Sequence, residues 1–299
     1  MNPQPAPSPL AAILQRTFST VGLWVVVFLI LWVFSRYNLV QLGGFLALLL
    51  VALAAQLETY RILRGMGGEP DVTVGLLCGG GLLVAQFLGF LTVDLNLALV
   101  GLAWAAILLT LLAKPNETKA WVVRNPTVFG LLYVPFLLLF LGAFLGARAG
   151  NDGLWVAVWV IAVTKFTDVG GLLVGVPFGR HKIAPHVSPA KSWEGCLGGV
   201  ALSCAVGAAG AWALTHWAGI PFHPAKGALF ALPLAVASIP SDLVESHLKR
   251  RAGVKDSGST IPGIGGALDL IDSLLLVAPV AFLLFYFLST LFQHPTRIG

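Results

Sequence analysis

Long stretches of uncharged apolar residues, separated by short polar segments, recur from about residue 18 almost to the end of this chain. Such runs can cross the roughly 30 Å hydrocarbon layer of a bilayer as helices. The pattern predicts spans near residues 18–35, 39–56, 72–93, 95–113, 128–147, 154–175, 196–217, 226–245 and 268–291. The expectation is an all-α integral membrane protein of about nine transmembrane helices. No polar stretch is long enough for a separate soluble domain, so residues 18–299 read as one polytopic membrane domain. Residues 1–17, Pro-rich with a single charge, read as a disordered cytoplasmic lead.

Composition agrees with that class: 57% of residues are hydrophobic and 10% charged, with a mean hydropathy of +0.88. The loop charges then orient the spans. The N-terminus and the loops after the second, fourth, sixth and eighth spans carry thirteen Lys and Arg residues, from Arg16 to Lys255. The opposite loops carry four: Arg36, Arg148, Lys226 and Arg297. Basic excess marks the cytoplasmic side, which puts the N-terminus inside and the C-terminus outside. The net charge of +5 then reflects topology and phosphate contact, and no nucleic-acid partner is expected. Cys78, Cys196 and Cys204 fall inside apolar spans at no metal-ligand spacing, so they read as small buried hydrophobes without a disulfide.

Against this apolar background, residues 241–273 (SDLVESHLKRRAGVKDSGSTIPGIGGALDLIDS) concentrate acid, base and glycine. Asp269 and Asp272, three apart, share one helical face at the cytoplasmic start of the last span, directly after Gly263, Gly265 and Gly266. Asp commonly caps helices, yet a second Asp one turn into a membrane helix is better explained by a cation. Asp242 and Glu245 form a second acidic pair. An internal ion pair with Lys249 satisfies Glu245, whereas Asp242 reads as a metal ligand. Lys249, Arg250 and Lys255 stand among these acids and suit phosphate, and exposed glycine amides such as those of Gly265 and Gly266 can add to the cradle. The segment therefore reads as a metal-and-phosphate site at a membrane surface. A second polar region, residues 165–195, brings Lys165 and Asp168 inside the sixth span and Lys191 on the same cytoplasmic side. His181 and His186 read as loop histidines and Trp193 as an interfacial anchor. Glu58, near Arg61, reads as one half of a loop salt bridge.

These residues resemble the phosphatidate cytidylyltransferases, the CDP-diacylglycerol synthases. Ser246, Leu248, Lys249, Arg250, Lys255, Asp256, Gly258, Pro262, Gly265, Gly266, Asp269 and Asp272 stand where that family's signature has its fixed positions. Ser241-Asp242-Leu243 is similar to its Gly-Asp-Leu, and Lys191-Ser192-Trp193-Glu194-Gly195 to its second motif. The resemblance covers about residues 165–290 and departs where the family's His is Ile264, its Arg is Leu270 and an apolar position is Ala267. It implies cytidylyl transfer from CTP to phosphatidic acid, giving CDP-diacylglycerol and pyrophosphate, in a cell inner membrane. Asp242, Asp269 and Asp272 would hold Mg²⁺, with a second cation as in other two-metal sites. Lys249, Arg250, Lys255 and Lys191 would serve the phosphates, and Asp256 the nucleotide or the loop. Membrane lipids surround the protein, and monomer and homodimer both stay open. The alternatives are a CTP-dependent enzyme on another lipid phosphate, such as an isoprenoid-linked one, and an inactive relative. A transporter would bury charge too, but has no need of the acid-glycine-base cluster.

Overall fold

A computed structural model of the protein describes residues 39–112, 115–146, 150–258 and 265–291, with a few further positions between 25 and 37. In chain order the helices are α1 (Val40–Gly65), α2 (Val72–Phe87), α3 (Val93–Leu112), α4 (Pro115–Arg124), α5 (Pro126–Tyr133), α6 (Pro135–Leu145) and α7 (Gly150–Phe178). A hairpin of β1 (Lys182–Ala184) and β2 (Ser188–Ser192) leads into α8 (Trp193–Trp217), α9 (Pro224–Arg251), α10 (Ala267–Ile271) and α11 (Leu274–Leu291).

Local chemistry sets many of these boundaries. Asp71 caps α2 by accepting the Val74 amide at 3.0 Å, and Ser192 caps α8 by accepting the Gly195 amide at 3.2 Å. Proline opens α5, α6 and α9, where its missing N–H costs no helical bond. Pro135 also splits what is otherwise one apolar run, Pro126–Leu145, into two helices that meet at Val134.

Among the described residues, six helical segments are long and apolar enough to cross a membrane: Val40–Gly65, Pro126–Leu145, Asp152–Phe178, Trp193–Trp217, Pro224–Arg251 and Ala267–Phe287. They correspond to the second, fifth, sixth, seventh, eighth and ninth expected spans. The third appears as the shorter apolar helix α2 (Val72–Phe87), and the fourth as α3 (Val93–Leu112). The first expected span lies largely outside the described residues, as does the lead before it. The all-α expectation needs one correction. Lys182 pairs with Ser192 and Ala184 with Ser188 in an antiparallel hairpin, where the polar, proline-containing segment between two helices can satisfy its own backbone.

Packing places the site. α6 is apolar all round and buried, with Leu138, Leu139 and Phe140 fully enclosed. Beside it, α7, α8 and α9 approach one another at glycine: a methyl group at Gly199 would lie 2.5 Å from the Thr167 carbonyl, and one at Gly207 2.7 Å from that of Gly227. Ser203 Oγ donates to the Val163 carbonyl at 3.0 Å, and Trp159 Nε1 to that of Gly207 at 3.0 Å. These close crossings bring Lys165 on α7, Lys191 on β2 and Asp242 on α9 to the same end of the bundle as α10.

Candidate active site

Three carboxylates converge where α9 meets the break between α10 and α11. Asp242 and Glu245 come from one face of α9, and Asp272 from the turn after α10. One oxygen from each lies within 4.8 Å of the others. Glu245 is completely buried. Its Oε2 faces Lys249 Nζ at 2.7 Å as an ion pair, and its Oε1 has no hydrogen-bond partner. A buried carboxylate oxygen without a partner, in a cluster of three acids, is the donor arrangement a divalent cation fits. The Tyr133 hydroxyl at the end of α5 is also buried without a partner, and Glu245, Asp272 and Asp242 are its charged neighbours.

Every acid of the trio has a lysine against it. Lys191 contacts Asp242 and reaches the Ile239 carbonyl at 3.4 Å. Lys249 faces Glu245, and Lys165 Nζ lies 3.7 Å from Asp272 and donates to Ser273 Oγ at 2.9 Å. The Lys165–Asp168 pair expected from spacing is present at 3.8 Å. Ser241 Oγ donates to the Asp272 carbonyl and accepts the Leu276 amide at 3.2 Å, which ties α9 to the start of α11.

The expected alignment of Asp269 and Asp272 on one helix is corrected here. α10 ends at Ile271, and the two side chains serve different partners. Asp269 accepts Lys249 Nζ at 2.6 Å, the amides of Ser257 and Gly266 at 3.0 and 2.7 Å, and Ser257 Oγ at 2.8 Å. It lies outside the three-acid group, which includes Glu245. The Gly266 amide is likewise spent on Asp269 and buried, so it caps α10 instead of facing a phosphate. Gly265, at φ +120°, turns the chain into that cap.

Glu58 needs a larger correction. α1 continues nine residues beyond the expected end of its span, and Glu58 is 1% exposed within it. Its Oε2 accepts Ser257 Oγ at 2.9 Å and the Leu268 amide at 2.9 Å. The neighbouring polar residues Gln56, Thr59 and Tyr60 on an otherwise apolar helix were the available signal that this stretch faces protein instead of lipid.

The remaining expected residues sit at the rim. Arg250 donates from Nε to the Val187 carbonyl at 3.4 Å and so touches the hairpin. Glu194 accepts the amides of Arg180 and His181, each at 3.2 Å, and pairs with His181 Nδ1 at 2.5 Å, which closes the hairpin onto α8. Lys255 and Asp256 are exposed on the loop after α9. Ile264 falls outside the described residues, and Leu270 packs half-buried against the apolar core.

The family model described as "Cytidylyltransferase family" matches residues 14–288. Among curated proteins, the phosphatidate cytidylyltransferase of Haemophilus influenzae is 34% identical over 194 residues, covering 62% of this chain and 65% of that protein, just under two thirds of its length. That of Mycobacterium bovis is 32% identical over 247 residues, covering 78% of each. That of a Synechocystis species is 42% identical over 139 residues, covering 46% of this chain and 45% of that protein.

Proposed function

Because this chain belongs to the cytidylyltransferase family, we propose that it transfers a cytidylyl group from CTP to phosphatidic acid. A lipid phosphate oxygen attacks the α-phosphorus of CTP, the bond to the β-phosphate bridging oxygen breaks, and pyrophosphate leaves with CDP-diacylglycerol as product. The phosphatidate cytidylyltransferases among its relatives support the substrate. The observation that carries the site is the convergence of Asp242, Glu245 and Asp272, each opposed by a lysine.

In this reading Asp242, Glu245 and Asp272 hold Mg²⁺, with room in the reading for a second cation. Bound there, the ion offsets the charge that builds on the phosphate oxygens during transfer. The chain's own contribution is position and charge. Lys249, fixed by Asp269, presents a cation to the nucleotide phosphates. Lys191 and Lys165 present theirs from the hairpin and α7, and Arg250, Lys255 and Asp256 line the entrance used by the nucleotide. A lipid phosphate is already anionic near neutral pH, so no dedicated general base is assigned. The basic loop asymmetry supports nine spans, a cytoplasmic site and a C-terminus on the opposite side, and the family resemblance supports an inner-membrane location.

The test is turnover by purified protein given CTP and phosphatidic acid, with and without Mg²⁺, read as CDP-diacylglycerol. A Mg²⁺-dependent product is expected. Leu270, apolar where the resemblance has Arg, makes a polyisoprenyl phosphate the control substrate. Product from that lipid alone would replace phosphatidic acid in the proposal, and product from neither would end it.

A further inference from the structure

Glu58 stands on α1, about two hundred residues from its partners in sequence, yet it is buried against the segment that carries Asp269. Its carboxylate accepts from both ends of that segment, the Ser257 hydroxyl on one side and the Leu268 amide on the other. Ser257 Oγ also reaches Asp269 at 2.8 Å. A hydroxyl has one proton, so Ser257 bridges the two acids instead of satisfying both. Two glycines make the space: a methyl group at Gly266 would collide with Glu58 Oε2, and one at Gly258 would lie 2.6 Å from Oε1. Ser257, Gly258, Gly266 and Leu268 thus close on one carboxylate. Asp269, next in sequence, aims Lys249 at 2.6 Å.

We propose that Glu58 is a positioning residue: from the first long helix it clamps both ends of the 257–268 segment, holding Asp269, and through it Lys249, in the geometry that receives the nucleotide phosphates. This rests on the reading of Lys249 as a phosphate contact. Glu58 touches no substrate itself, so its loss acts on the nucleotide side of the reaction and leaves the lipid side alone.

The experiment compares the full-length purified protein with Glu58→Gln by amide hydrogen exchange and by kinetics. Loss of a charge-assisted bond to a buried amide speeds exchange at Leu268 about tenfold or more, with α1 residues 40–56 unchanged. KM for CTP rises about tenfold by the same reasoning, KM for the lipid stays level, and Glu58→Asp, which keeps the charge, recovers part of the loss. Unchanged protection at Leu268, or a parallel rise in both KM values, overturns the proposal. Ser257→Ala removes one of the clamped groups from the other side and gives the same exchange readout where Glu58→Gln does not accumulate. If the native protein makes no CDP-lipid, the functional reading fails, while exchange at Leu268 still decides the clamp.

Discussion

Glu245→Gln separates a metal ligand from a structural ion pair, because the structure assigns different consequences to each. The substitution keeps shape and removes charge at a fully buried position. Lys249 loses its partner at 2.7 Å but keeps Asp269 at 2.6 Å, so no ammonium is left buried and alone. The amide also avoids burying a carboxylate oxygen that has no hydrogen-bond partner. These effects oppose each other, and the net change in stability is expected to be about 1 kcal/mol or less. The effect on a bound cation has no such offset. Loss of one anionic ligand, at about 1.5–3 kcal/mol for a charge-assisted contact, raises the half-saturating Mg²⁺ concentration roughly ten- to hundredfold. Titrating Mg²⁺ against turnover and against the thermal midpoint of purified protein measures both, since a ligand that binds only the folded state raises that midpoint. A half-saturation point within about twofold of native, in a sample where Asp242→Asn does shift it, would falsify the ligand assignment of Glu245.

Three further outcomes follow from the same geometry. Asp272→Asn is expected to lower turnover at least about a hundredfold with the fold retained, while Asp269→Asn, which breaks contacts to Lys249, Ser257 and Gly266, costs about 1–3 kcal/mol of stability. Excess Mg²⁺ recovers part of the Asp272→Asn activity and none of the Asp269→Asn activity, and equal recovery of both would contradict the division of roles drawn here. Gly266→Ala forces a methyl group against Glu58 and Ser257 and is expected to destabilise by about 1–3 kcal/mol, measured by thermal unfolding in detergent; an unchanged midpoint would show that the packing of Gly266 on Glu58 is loose. A reporter fused after Gly299 is expected on the side opposite the Lys/Arg-rich loops, and cytoplasmic signal would refute the orientation read from them.

Hydropathy made the helical architecture legible because long uncharged runs report burial in lipid directly. It erred at the ends, where Glu58 and Arg61 made a continuing helix look like a loop. It could not foresee the break after Ile271, since Asp269 and Asp272 at a spacing of three look the same on one helix or across two. Asp242, Asp272, Lys191 and Lys249 stood out as charges in an apolar chain, and the structure brings them together. Glu245 was read through Lys249, four residues away; that ion pair exists, but the contribution of Glu245 to the acidic trio depends on Asp272, which only folding brings near. Glu58 was the most hidden, because nothing within its own helix reveals a partner about two hundred residues later.

The pairing of each acid with its own lysine has a thermodynamic consequence. On the proposed function, a divalent cation settling among Asp242, Glu245 and Asp272 competes with ammonium groups for the same oxygens. Lys249 keeps Asp269 and Lys165 keeps Asp168, and the positive charge no longer spent on the trio is open to a triphosphate. Entry of the cation thus creates affinity for the nucleotide, and linkage requires the nucleotide to strengthen the cation by the same factor. The bundle end then works as an ion exchanger, its acids held by lysines at rest and receptive to nucleotide once loaded, and neither ligand binds at full strength without the other.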